Sequence, residues 1–461
     1  MVILPDGLQP LLELLDPKEQ YYIVGGAVRD LLLSRSNHDL DIVCSGDTRT
    51  IARNLAQKTS GAFYMLDEER NACRVIITSS DGNRLLFDLT QMRGQSILED
   101  LADRDFTINA MAVDLSNRTQ IIDPLKGARD LQEKRLRPCS NASFLNDPLR
   151  IVRAIRYSVG HDLKIEPATI ELIKAAIPGL SFISQERKRD ELFKILSNPK
   201  PWVAIDLILH FKILEQLGLP AILDPRAVIL CIRQYAAFCS YILGDLQNRD
   251  ADALLISSFI NEMKPFRSYM KDHLQKTNQS DRSRIGLNGL ALLLFESGSL
   301  GADQIGKNLA LSNDEIMHLR VLLEKRETFN DLAQQSQPIE PRLIFRYFRE
   351  LGEFGIDLGL ISLVRTASGI SAELDDKSWL KRVSLFRQLV NSWFLHPEIV
   401  CPKPLLSGVN LMFEFDLAQG PLIGVLLEGL REEQASGNIL DRQSALEWVD
   451  MKLYQDEIRK D

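Results

Sequence analysis

No two of the six cysteines in this 461-residue chain are spaced as C-x-x-C; Cys44, Cys73, Cys139, Cys231, Cys239 and Cys401 are widely scattered. Such spacing suits neither a disulfide framework nor a zinc finger, and it fits a reducing cytoplasm. The six histidines, at 38, 161, 210, 273, 318 and 396, also lack metal-ligand spacing. No apolar stretch reaches the ~18 residues that cross a bilayer, so no membrane is expected. The first residues carry Asp6, Glu13, Asp16 and Glu19 and no basic n-region, so no signal peptide is expected. No repeat of fixed period is visible. Positive charge is in deficit too, with 55 Lys and Arg against 63 Asp and Glu and a net charge of -8. That excludes a protein coated uniformly in positive charge, such as a histone-like binder, but not a local basic groove on an acidic body. The expectation is a soluble cytoplasmic protein.

What is present is enough for two to four domains. With 45% hydrophobic residues the chain can bury sizeable cores. Its texture changes near residue 140. Before it, β-rich runs (YYIV at 21–24, DLDIVC at 39–44, FYML at 63–66, CRVIIT at 73–78, RLLFDL at 84–89, QIIDP at 120–124) alternate with helical patterns at 27–34, 48–59 and 97–112. Interleaving of this kind predicts an α/β or α+β domain. From 143 onward apolar residues recur at three- and four-residue spacing, which predicts an all-helical remainder. Pro201, the Pro220/Pro225 region and the polar stretches 275–284 and 334–342 are candidate linkers or long loops.

The most informative segment is YYIVGGAVRDLLLSRSNHDLDIVCSG. An apolar strand enters Gly25-Gly26, and a helix opens behind it. Paired glycines at such a turn let the backbone approach a phosphate, with the helix N-terminus aimed at it. Arg29, one turn in, is placed to add a bidentate phosphate contact. Asp39 and Asp41 follow on a strand, where residues two apart point the same way. Two adjacent carboxylates persist most easily around a divalent cation, and oxygen ligands suit Mg²⁺ with phosphate substrates.

GGAVRD followed by DLD resembles the signature of the class II tRNA nucleotidyltransferase and bacterial poly(A) polymerase superfamily. Further matches follow in the family's order: DRDFTINAMAVD (103–114), IIDPLKGARDLQEKRLR (121–137), NDPLRIVRAIRY (146–157) and ERKRDELFKIL (186–196). Two departures are mild: Asp103 stands for the first arginine of R-R-D, and Asn146 for the usual glutamate. The resemblance covers about the first 200 residues.

It implies an α+β fold: a polymerase beta-like mixed sheet with helices, then an all-α neck, body and tail. The head would span 1–140, a base-recognising neck 141–200, the body 201–335 and a tRNA-binding tail 336–461. The implied reaction moves a nucleotide from CTP or ATP to an RNA 3′ end and releases pyrophosphate. Asp39 and Asp41 would hold two Mg²⁺ ions, with Asp88 as a third carboxylate on a neighbouring strand. Gly26, Arg29 and Arg104 would bind the nucleotide. Asp105 and Asn109, four apart on one helix face, would tie that helix to the nucleotide domain or contact the ribose. Asp147 and Arg150 would read the base, accepting from the amino group that cytosine and adenine share and donating to ring acceptors. Arg153 and Arg156, recurring every three residues, would lie nearer the phosphates.

The segment MRGQSILEDLADRDF runs almost directly from strand to helix. Family members that add all of C-C-A carry a polar loop of ten or more residues there, so its absence favours a CC-adding enzyme. Full CCA addition, A addition and poly(A) polymerase are the alternatives, and a non-enzymatic RNA-binding relative would be expected to have lost Asp39, Asp41 or Arg29. No DNA partner is implied. Similar G-x-x-L…G-P-x-I-G patterns end many of the family's bacterial members; Gly408 and Gly420-Pro421 open helices whose N-termini could touch RNA phosphates, with helix-turn packing as the favoured role. Gly301 to Lys307 matches the start of a P-loop, but Asn308 stands at the Ser/Thr position and a helix pattern precedes it. His161-Asp162 is the only HD dipeptide, so an HD phosphohydrolase domain is not expected. Residues 126–200 hold 15 Lys and Arg against 9 Asp and Glu, a local +6 that leaves -14 for the rest. Basic charge therefore concentrates in the neck.

Overall fold

The computed structural model describes residues 6–35, 39–78, 84–117, 120–244, 253–277, 282–295, 297, 301–369 and 375–458. His38 falls outside them. They divide into two compact units, residues 1–191 and 192–461.

In the first unit, β1 (Tyr21–Val24), β2 (Asp39–Cys44), β3 (Ala62–Asp67), β4 (Ala72–Thr78), β5 (Arg84–Gln91), β6 (Ala112–Asp114) and β7 (Ile121–Ile122) form one sheet. Its order is β3-β4-β5-β2-β1-β6-β7. Every neighbour is antiparallel except β2 and β5. That parallel pair needs a crossover, which the Thr48–Thr59 helix and the β3–β4 hairpin supply. The sheet is therefore mixed.

One face is the main core. Ile23, Leu40, Ile42, Cys73, Val75, Phe87 and Leu89 lie under Ala27, Val28, Ile51, Ala52 and Leu55 of the two helices that follow β1 and β2. The opposite face is covered in part: Tyr22, Val24, Val43 and Ala112 pack against Ile97 and Leu101. Alternation along β2 thus buries Leu40 and Ile42 and turns Asp39 and Asp41 outward.

The helix expected over 97–112 stops at Ala102. Phe106 is extended (φ -132°, ψ 149°), Thr107–Asn109 is a single 3₁₀ turn, and Ala112–Asp114 is a strand. The Asp105 carboxylate accepts from its neighbour's amide, Phe106 N, at 2.8 Å, and Thr107 N donates to Arg137 O at 3.1 Å. Those bonds outcompete the helical ladder. Among the described residues from 143 onward, the all-helical expectation is broken by a short strand, β9 (Lys164–Ile165), which pairs in parallel with β8 (Arg135–Leu136), and by isolated bridges such as Ile222 to Ser297.

The second unit is helical over its described residues. Pro201 and Pro225, read as candidate breaks, open helices, where a missing N–H costs nothing. The Pro225–Leu243 helix corrects the expectation that no stretch is long and apolar enough to cross a membrane. An 18-residue window of this 19-residue helix reaches a mean hydropathy of 1.3. Tyr235, Phe238, Cys239 and seven others of the helix are buried with Cys231, as in a core helix. Phe238 meets Phe259 at 4.3 Å between ring centroids. Ser407 closes a capping box on Gly408–Glu414, and a Cβ on Gly408 would come within 3.3 Å of Ile423 Cγ2. Gly408 thus serves close helix packing, whereas a Cβ on Gly420 would meet nothing within 4 Å, so the packing expected there does not require a glycine.

Candidate nucleotidyl-transfer site

Asp39 and Asp41 project from one face of β2, and parallel pairing sets Asp41 opposite Asp88 on β5. The sequence placed Asp88 on a strand; only the register brings it beside the pair. Arg74, its partner on β4, grips both Asp88 oxygens at 2.7 Å. Asp41 keeps an exposed edge. Even so, protein packed around its carboxyl pushes its pKa up to about 6, against the pull of Arg104 and with the push of Asp88 and Asp39.

Gly25 sits at φ +68°, a left-handed conformation that glycine adopts without strain. A Cβ there would stand 3.0 Å from Arg104 Nη1 and 3.2 Å from Asp41 Oδ2. The turn therefore leaves room where those two side chains converge. Gly26 opens the helix beside Arg29, whose Nη2 would be 3.3 Å from a Cβ on Gly26. Arg29 itself is buried, donating to Asn109 Oδ1 at 2.6 Å and to Asp30 Oδ1 at 3.1 Å.

Next to the carboxylates lies a cavity of about 890 Å³, with Thr90, Arg93, Arg104, Asp147, Arg150 and Arg187 in its wall. Arg104 is steadied by Asp100, to which its Nε donates at 3.0 Å. Asp147 ends the Ser143–Asn146 helix; its Oδ2 accepts from Arg187 Nη2 at 2.8 Å and its Oδ1 from Leu149 N at 3.3 Å. Arg150 reaches back to the carbonyls of Arg104 (3.1 Å) and Asp103 (2.8 Å) and to Ser143 Oγ (2.8 Å). Asp147, Arg150 and Arg104 are thus brought together. Both departures from the family motif, Asp103 and Asn146, also line this cavity.

Arg153 and Arg156, expected nearer the phosphates, point elsewhere. Arg153 donates to Asp105 at 2.6 Å and to Glu191 at 3.4 Å, and Arg156 to Glu191 at 2.8 Å. With Arg29 they surround the Tyr157 ring at 5.6, 4.3 and 5.5 Å. Three carboxylates, Asp30, Asp105 and Glu191, and a π-face absorb the three cations, a packing role. Asp105 and Asn109 do not share a helix face, yet their side chains meet at 3.1 Å and join Arg29 to Arg153. His161 stacks on Tyr157, and burial beside Arg29 and Arg35 pushes its pKa down to about 3. Asp162 bonds Lys134 instead, so the HD dipeptide holds no paired ligands. The P-loop match is a helix, Ala302–Asn308, preceded by another, Arg284–Phe295.

Sequence reading missed Arg74 and Arg187. Arg74 is the one charge in an otherwise apolar strand, a signal that an acid lies opposite. Arg187 lies inside a quoted motif, but nothing local names Asp147 as its partner.

The three carboxylates supply hard oxygen donors, which fit Mg²⁺ sharing its shell with phosphate oxygens and water. Among the described residues no group of three His, Cys, Asp or Glu closes a cage by itself.

Residues 21–137 match the Poly A polymerase head domain family, and 162–223 match the family described as probable RNA and SrmB-binding site of polymerase A. A CC-adding tRNA nucleotidyltransferase of Geobacter sulfurreducens is 30% identical over 94% of this chain and 91% of its own length. An A-adding tRNA nucleotidyltransferase of Deinococcus radiodurans is 29% identical over 93% and 94%. The fold is shared with a solved CCA-adding enzyme in an apo form, at TM-score 0.63 and 21% identity over 96% of this chain and 97% of that one. With that fold, those relatives and the in-register carboxylates, the chain belongs to the tRNA nucleotidyltransferase and poly(A) polymerase family and is a nucleotidyltransferase.

Proposed function

We propose that this chain adds cytidylate residues from CTP to the 3′ end of tRNA without a template, halting before the final A. The observation that carries the transfer chemistry is the Asp39, Asp41 and Asp88 cluster beside the cavity that holds Asp147 and Arg150. Asp39 and Asp41 would hold Mg²⁺, with Asp88 beside them. When bound, the metal lowers the pKa of an attacking hydroxyl and neutralises the triphosphate. Arg104, steadied by Asp100 and facing Asp41, is placed for the phosphates or sugar. Gly26 and Arg29 shape the turn behind them. Asp147 accepts from the amino group of cytosine or adenine, and Arg150 braces the neighbouring wall. Arg153 and Arg156 hold that helix in place.

Support for stopping at CC comes from the connection after β5. Only residues 92–96 separate Gln91 from the helix that begins at Ile97. A second CC-adding relative, from Synechocystis, is 26% identical over 95% of this chain. The A-adding relative keeps A addition as the second reading. The four-part division into head, neck, body and tail, with tRNA along the helical parts, and a cytoplasmic site of action complete the proposal.

The test is to offer the protein a tRNA lacking its 3′ end with CTP alone, ATP alone and both. Two C residues and a halt support the reading; continuation to A refutes the stop. No incorporation on any tRNA end, with wild type and Asp39→Ala alike, refutes the enzymatic assignment to tRNA.

A further inference from the structure

The carboxylate row does not end at Asp88. In register it runs Asp41, Asp88, Arg74, Tyr64, from β2 through β5 and β4 to the edge strand β3. Beside it, on the same face, runs a second row: Asp39, Leu86, Ile76, Ala62. Residues of the alternate parity (Leu40, Phe87, Val75, Phe63) belong to the main core below. At β1 and β6 this face is covered by the Ile97–Ala102 helix. Over β3 to β5 it is open: Tyr64 is 51% and Leu66 50% exposed, while Leu86 and Ile76 are half-buried.

We infer that this open half-face seats the single-stranded 3′ end of the RNA acceptor, with the Tyr64 ring stacking on one of its last bases. The inference rests on the reading of nucleotide transfer onto an RNA end. The cavity that holds Asp147 and Arg150 meets the sheet at Thr90, Ala72 and Asp67, along the strand ends one row to the other side of the carboxylates. An incoming nucleotide there leaves the rows through Asp88 and Leu86 on β3 to β5 for the chain that attacks. In-line transfer requires the attacking oxygen and the leaving pyrophosphate to approach from opposite sides. Tyr64 is three strands from Asp41, roughly 14 Å at the usual strand spacing, so it meets a base behind the terminal one. Aromatic stacking tolerates any base, which suits an end whose terminal nucleotide changes at each addition. Arg74 lies between them with 37% of its side chain exposed, a cation beside the path of the RNA backbone. Leu86 and Ile76 give the bases an apolar floor.

The first experiment measures KM for a tRNA lacking its last three nucleotides and KM for CTP in wild type, Tyr64→Ala and Tyr64→Phe. Tyr64→Ala is expected to raise KM for the tRNA about tenfold, the size of one lost base–aromatic stack. KM for CTP stays within twofold, and Tyr64→Phe behaves as wild type. An unchanged KM for tRNA, or an equal rise in both constants, overturns the inference. The second irradiates wild type with a tRNA ending in 4-thiouridine and maps the crosslinked peptide. Attachment within residues 62–78 supports the seat, and attachment only elsewhere overturns it. This readout needs no turnover, so it stands even where incorporation fails and the enzymatic reading falls.

Discussion

Asp41 and Asp88 face each other across the one parallel pair of the sheet, and Arg74 grips both oxygens of Asp88 from the next strand. The arrangement packs two carboxylates side by side yet gives only Asp88 a close cationic clamp. Asp41 is left to be satisfied by Arg104 and by whatever binds in front of it.

Removing charge at this row should therefore cost activity and not fold. Asp41→Asn is expected to lower CTP incorporation on the order of 10²–10³-fold, the scale of one lost charge-stabilising group. Asp88→Asn should fall in the same direction by less, because Arg74 already neutralises much of the Asp88 charge. Single-turnover incorporation of labelled CTP, with circular dichroism as the fold control, checks both.

Gly25→Ala should fail for two reasons that act together. The backbone is left-handed there, and the new methyl would meet Arg104 and Asp41 at 3.0 and 3.2 Å. The expected outcome is a loss of kcat with little change in KM for tRNA, measured under saturating CTP.

Arg187→Ala probes the exposed ion pair to Asp147. Surface pairs contribute about 0.2–1 kcal/mol, so the melting temperature should barely move. With Asp147 free to rotate, however, KM for CTP should rise and discrimination against UTP should relax. Competition between CTP and UTP on one tRNA reads the second effect directly.

Asp105→Ala should be far costlier to stability. It leaves the Arg153 guanidinium only longer contacts such as that to Glu191 and breaks the chain of bonds from Arg29 and Asn109 to Arg153. Breaking one side of a buried pair costs about 3–5 kcal/mol. Faster hydrogen exchange along the Arg150–Gly160 helix, against an unchanged second unit, is the expected signature.

Acid should weaken the second unit through His318. Burial pushes its pKa down to about 4, against the pull of Asp357 and with the push of Arg284. Its Nε2 lies 2.9 Å from Asn288 Oδ1. Between pH 6.5 and 4 the unfolded chain takes up a proton that the folded one refuses. Stability is therefore full above about pH 6.5 and falls as pH drops toward 4, by up to roughly 3 kcal/mol. Urea midpoints at pH 7 and 5 should differ in wild type and differ less in His318→Gln.

Much of the site is legible along the chain because its chemistry is local. A glycine turn, a two-residue carboxylate spacing and a helix rich in arginine each follow from short-range geometry. The 97–112 stretch misled for an equally local reason, since Asp105 offers its own backbone a bond that helix periodicity does not register. The arginine stripe misled differently: spacing put Arg150, Arg153 and Arg156 together but said nothing of Glu191 and Asp105 waiting for two of them.

By itself, then, the sequence determined which residues form β1, the glycine turn and the helix behind it, and which face of β2 carries its acids. Tertiary structure decided who stands opposite. Asp88 comes to Asp41 only through a parallel pairing whose crossover spans residues 45–83, and Arg187 reaches Asp147 across forty positions. Strand alternation fixes a side chain's face within its own segment. It carries no information about register with a distant one, which is set by how the core beneath the sheet packs.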